Sequence, residues 1–109
     1  MKNLNEIVPR VVKADWLNQI ELELRSIKFD EKKAVIKAIA VITKDNYNYE
    51  KEGDNKYEKV NITCENIKEA QIPNIKLGRK VKLDKISSVS TFGDYNENLS
   101  LKASVSFYD

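Results

Sequence analysis

From Leu99 to Phe107 the chain reads Leu-Ser-Leu-Lys-Ala-Ser-Val-Ser-Phe, apolar at every odd position and polar at every even one. Side chains of an extended strand point alternately to opposite faces, so this pattern describes a strand with one dry face and one wet face, and no helical stripe runs through it. A strand so close to the end of a chain has to find its partners earlier in the sequence, which favours a compact antiparallel barrel or sandwich. The 109 residues suffice for one domain with a modest core and are short for two.

Apolar residues make up 41% of the chain and charged residues 33%, with three glycines and two prolines. That is too hydrophobic for a disordered chain and too charged for a membrane span. Asn3, Asn5 and Glu6 interrupt any apolar run after Met1, so neither a secretory leader nor a transmembrane segment is expected, and the expected location is the cytoplasm. Cys64 is the only cysteine, which fits a reducing compartment and leaves the sequons at Asn61 and Asn98 without meaning.

Strand patterns recur upstream. Ile20-Glu21-Leu22-Glu23-Leu24 alternates, and the alternation resumes out of phase at Ile27 and Phe29, which predicts a bulge at Arg25-Ser26 within a strand over 19–29. Residues 34–43 are apolar on both faces except for Lys37 and too rich in β-branched side chains for a helix, so a long central strand is expected. Residues 44–55 form a polar, turn-rich loop containing Tyr47 and Tyr49. Two readings of those tyrosines stand: rings folded back onto the sheet, or contact with a partner. A third strand covers 57–63, with Cys64 continuing its apolar face as a structural thiol. Residues 65–71 read as a brief helix ended before Pro73, and 77–86 as a fourth strand that runs on towards Val89. Phe92 to Asn98 is a turn-rich loop. The expected architecture is therefore mainly β: a five-stranded OB-like barrel with one short helix between strands three and four, over residues 19–109, preceded by an N-terminal arm over 1–18. Trp16 in that arm either covers an open end of the core or serves as a stacking platform for a base.

No histidine is present, and Gly53, Gly78 and Gly93 are isolated turn glycines. Histidine-based triads and phosphate-cradling glycine loops therefore have no material, and the chain reads as non-enzymatic, with no cofactor or metal implied. The whole-molecule charge of +2 implies no partner. Its distribution is more telling: Lys76, Arg79, Lys80, Lys82 and Lys85 are opposed only by Asp84, a local charge of +4. Cations on a wet strand face beside aromatic rings suit a single-stranded nucleic acid, whose backbone is anionic and whose bases stack; an ordinary solvated strand looks the same.

Val60-Asn61-Ile62-Thr63, Leu77-Gly78-Arg79-Lys80-Val81-Lys82-Leu83 and Leu99-Ser100-Leu101-Lys102-Ala103 together resemble a family of small proteins encoded by Gram-positive integrative and conjugative elements. The family's pattern is an extended strand, an acidic linker with a proline, a Val-x-Leu strand led by Gly or Asp, and a closing strand ending in Lys-Ala. The resemblance covers residues 33–109, and the N-terminal arm departs from it. It implies an OB-like accessory protein of conjugative DNA processing, similar to helicase processivity factors, that holds displaced single-stranded DNA or tethers a host helicase. The family offers no catalytic residue. From the physical chemistry of the chain, the expected contact surface is Arg79, Lys80, Lys82 and Lys85 with Tyr47, Tyr49 and Trp16. The rival class is a protein-interaction module, an inhibitor of a host protein acting through the tyrosine loop and free strand edges. A small-molecule site inside the barrel is disfavoured because five strands fill their own interior.

Overall fold

A computed structural model describes residues 14–50, 53–93 and 98–108. The expected arm is thus described only from Ala14; residues 1–13 lie outside the described residues, as do 51–52 and 94–97 of the two expected loops. A short helix, α1 (Ala14–Asn18), leads into β1 (Ile20–Asp30), β2 (Val35–Asp45) and β3 (Lys59–Cys64); a 3-10 helix (Glu69–Asn74) precedes β4 (Lys80–Phe92) and β5 (Asn98–Tyr108). The strands form one closed sheet in the order β1-β2-β3-β5-β4, with β4 returning to β1. All pairings are antiparallel except β3 with β5, which is parallel. Among the described residues no helix is long and apolar enough to cross a membrane.

Alternation decides what lies inside. Leu22 and Leu24, then Ile36, Ala38, Ala40 and Ile42, then Val60, Ile62 and Cys64, then Leu99, Leu101, Ala103 and Val105 are all buried. Alanines at three of these positions let the opposed walls of so narrow a closed sheet approach each other. Cys64 belongs to this core, and burial pushes its thiol up to about 11, far from the thiolate a nucleophile needs.

The bulge expected at Arg25 is present as a register shift between Leu24 and Ser26. Two further shifts in β4, between Leu83 and Lys85 and between Ile86 and Ser88, were not legible. They space the half-buried residues Leu83, Ile86 and Val89 three apart, so a strand that looks broken in sequence continues to Phe92.

The helix between β3 and β4 differs from expectation. Residues 65 and 66 are held by the sheet: Glu65 N–H donates to Ala103 O (2.9 Å), and the Asn66 side chain both donates to Val105 O (2.7 Å) and accepts from Val105 N–H (2.9 Å). An amide that copies a strand's hydrogen bonds keeps this segment out of a helix. The 3-10 turn starts later and runs through Pro73, with Gln71 N–H bonded to Lys68 O and Ile75 N–H to Ile72 O on either side of it. Ile67, Ile72 and Ile75 pack against the core and close the end of the sheet at which β3 finishes.

Candidate functional site

At the other end of the sheet, α1 is stapled to the loop that follows β2. Trp16 is 0% exposed, and its Nε1–H donates to the Tyr49 hydroxyl at 2.9 Å. That hydroxyl also accepts from Asn55 Nδ2 (2.9 Å) and donates to Asp45 Oδ2 (2.7 Å). A phenol has one donor and two acceptor positions, and all three are used. Asp45 Oδ2 takes the Asn55 N–H as well (2.8 Å), and Asp45 Oδ1 takes that of Tyr47 (3.1 Å). Burial first, and the hydrogen bond to Asp45 second, raise the Tyr49 phenol above its ordinary range. The Tyr47 ring meets that of Tyr49 edge-on, with centroids 4.9 Å apart.

Three of the seven expected contact residues are therefore part of the fold. Trp16 as a base-stacking platform is corrected: a ring without exposed area has no face to offer. Tyr47 and Tyr49 fold back and pack against the core, the first of the two readings given above.

The four cations lie elsewhere and share their surroundings with acids. Arg79 Nη2 donates to Phe107 O at 3.2 Å. Lys80 Nζ lies 3.7 Å from Glu21 Oε2 and 6.0 Å from the centroid of the Tyr108 ring. Lys82 and Lys85 are exposed, opposite Ser106 and Ser104 on β5. Asp84 accepts from the Ser106 hydroxyl (3.3 Å) between them. The neighbours differ from one of these cations to the next.

A different set of residues does gather. On the outer face, the hairpins β1-β2 and β4-β5 wall an open cleft of about 760 Å³ whose floor is β2, β3 and β5. Strand register arranges its lining in two transverse rows. In the first, Lys28 faces Lys37, Lys37 faces Thr63, Thr63 faces Lys102 and Lys102 faces Ser88. In the second, Ser26 faces Ile39, Ile39 faces Asn61, Asn61 faces Ser100 and Ser100 faces Ser90. Lys33 on the β1-β2 turn and Phe92, 46% exposed, complete the rim. No carboxylate belongs to the described lining.

Like charges directly opposite on neighbouring strands destabilise a sheet, and Lys28 and Lys37 are such a pair. One carboxylate stands near: Asp30 Oδ2, 3.2 Å from Lys37 Nζ. Its hydrogen bond with Lys37, supported by the amides of Lys33 and Lys32, holds the Asp30 carboxyl below its usual range. Lys28, Lys33 and Lys102 remain exposed around the cleft. Such a surface attracts an anion: ammonium groups supply the charge, and hydroxyl and amide groups supply neutral donors and acceptors beside it.

None of the seven residues expected from sequence lines this cleft. Lys28, Lys37 and Lys102 are far apart in the sequence, and only the pairing of β1 with β2, of β2 with β3 and of β3 with β5 brings them into one row. Comparison with family models, with curated proteins and with solved structures finds no match to this chain.

Proposed function

We propose that this chain is a non-enzymatic accessory factor of mobile-element, conjugative DNA processing, an OB-like barrel that holds single-stranded DNA in the cleft and so assists a helicase. The observation that carries the reading is the row Lys28, Lys37, Thr63, Lys102, Ser88, set among described lining residues that include no carboxylate. The strand order, with a short helical turn between β3 and β4, supports the OB-like part of it. Adjacent strands are about 4.8 Å apart, so Lys28 and Lys102, three strand spacings from each other, span roughly 14 Å, a reach suited to successive phosphates. A single strand held there is kept from re-pairing behind an advancing helicase. The rival reading, a protein-interaction module working through the tyrosine loop, has less to stand on, because the Tyr49 hydroxyl is fully committed within the fold.

Anisotropy of a labelled oligothymidine titrated at several salt concentrations tests the proposal. Binding weakens linearly in log salt, and replacing Lys28, Lys37 and Lys102 together by Ala lowers affinity at least about tenfold and flattens the salt slope by about 2, the value for three released single-strand contacts. A folded triple variant with unchanged affinity and slope, or a wild type that does not bind, overturns it.

A further inference from the structure

The hairpin joining β2 to β3 closes on an unusual residue. Tyr57 has φ 70°, in the left-handed region, and its side chain is 69% exposed. The backbone requires that conformation: Tyr57 N–H donates to Ile42 O (2.6 Å) while Ile42 N–H donates to Glu58 O (2.9 Å), so two residues oppose one, as in a bulge. Glycine takes this geometry freely, whereas an L residue with a side chain is disfavoured there. Packing does not explain a tyrosine either, since most of its surface remains in water. A strained backbone under a large exposed ring is the kind of position at which function, not stability, selects the side chain.

We propose that Tyr57 is a stacking surface for the single strand, engaged where the strand leaves the cleft; the inference rests on the reading of the cleft given above. Tyr57 precedes β3, whose Asn61 and Thr63 form part of the cleft floor, and at about 3.3 Å per residue it lies roughly 13 Å from Asn61. The surface between them has the right chemistry. Lys59 is exposed, and the parallel ladder that pairs Val60 with Leu99 sets Lys59 beside Asn98, which itself faces Phe92 on the cleft rim. Beyond it, Lys56 Nζ lies 5.1 Å from the centroid of the Tyr57 ring, leaving one cation already on the aromatic surface. Cations and ring faces thus alternate from the lysine row outwards, as on surfaces that track a single strand. Glu58 and Asp54, whose Oδ1 accepts from Lys56 N–H at 3.1 Å, balance the local charge. The contribution of Tyr57 is therefore stacking, and it carries little salt dependence.

The experiment compares oligothymidines of about four and about twelve nucleotides, within the span of site sizes for such surfaces. Tyr57→Gly relieves the backbone while removing the ring: it melts no lower than wild type, binds the short oligomer as wild type does, and binds the long one about tenfold more weakly, the loss of roughly one stacked base, with the salt slope unchanged. Tyr57→Phe restores the long-oligomer affinity. Tyr57→Asn, which also tolerates this backbone, gives the same answer should glycine loosen the hairpin. Unchanged affinity of Tyr57→Gly for the long oligomer, or an equal loss with the short one, overturns the inference while leaving the cleft reading intact. A loss on Tyr57→Gly alongside an unaffected cleft triple variant overturns the cleft reading and, with it, the place given to Tyr57 at its exit. Absence of wild-type binding to both oligomers overturns both.

Discussion

Two sets of cations compete for attention in this molecule, and they differ in how they become neighbours. Arg79, Lys80, Lys82 and Lys85 are consecutive or nearly so, yet the fold gives Arg79 the Phe107 carbonyl and Lys80 the carboxylate of Glu21, while Lys82 and Lys85 stand exposed on either side of Asp84 in the chain. Lys28, Lys37 and Lys102 are scattered through the chain, yet register lines them up across the sheet. Along a strand, residues on one face are about 6.8 Å apart; across neighbouring strands they are closer, about 4.8 Å. The potential over a sheet face is therefore set by which strands pair and in what register more than by the composition of any one segment. A charge run in a β-rich sequence is a weak guide to the surface it helps to build.

The same contrast holds for the aromatic residues, and there it can be broken most forcefully. Trp16 and Tyr49 belong to a buried network, whereas Tyr57 and Phe92 are exposed. Trp16→Ala removes the ring that closes one end of the sheet and costs about 3–5 kcal/mol in denaturant unfolding, the range for deleting a large buried aromatic. If Trp16→Ala instead unfolds with wild-type stability but no longer binds single strands, the division between structural and exposed aromatics fails. Tyr49→Phe is the finer probe. It takes the hydroxyl away from Trp16 Nε1 and removes one hydrogen bond each from Asn55 Nδ2 and from Asp45 Oδ2, which keeps the Asn55 N–H, and costs about 1–3 kcal/mol. The phenol's folded pKa is raised above its ordinary value of 10.0, so the neutral form is the one the fold favours. Its contribution is fully present below pH 10 and is lost as pH rises beyond that towards the folded value. Stability measured from neutral pH upward should therefore fall less steeply above pH 10 in Tyr49→Phe than in wild type; parallel curves would remove Tyr49 from the network.

What could be read in the sequence follows the same physical line. The strand over Leu99–Phe107, the phase break at Arg25 and the central run 34–43 are local patterns, and each becomes the expected element within one or two residues. The course of β4 was obscured because two bulges replace a spacing of two by a spacing of three at Leu83, Ile86 and Val89. The helix began late because Asn66 binds β5 through its side chain, a contact across 39 residues that composition does not announce. The cleft was illegible for a stronger reason. It depends on the parallel pairing of Thr63 with Lys102, and the choice of which distant strand lies beside β3 is not encoded near either residue. A signal did exist: Lys37 is the one charged residue within the run 34–43, a placement that marks an outward position on a face otherwise built for packing.

The smallest effect is expected from the pair that sequence alone puts forward most strongly. Lys82 and Lys85 are exposed on β4, and the cleft portion of that strand begins at Ser88. At about 3.4 Å per residue Lys85 is roughly 10 Å from Ser88 along the strand, and Lys82 roughly 20 Å. At 0.15 M salt the screening length is about 8 Å, so both act on an anion in the cleft only through an attenuated field. Replacing both by Ala should then change oligothymidine affinity by less than about twofold at that salt, with the slope against log salt nearly intact. Near 0.01 M, where screening extends to about 30 Å, the same variant should fall visibly behind wild type. That pattern, weak at physiological salt and growing on dilution, is what distant charges produce. A loss at 0.15 M equal to that of the Lys28, Lys37 and Lys102 variant would instead mean that the β4 face touches the phosphates directly, and the contiguous run, with its acids, would displace the cleft as the contact surface.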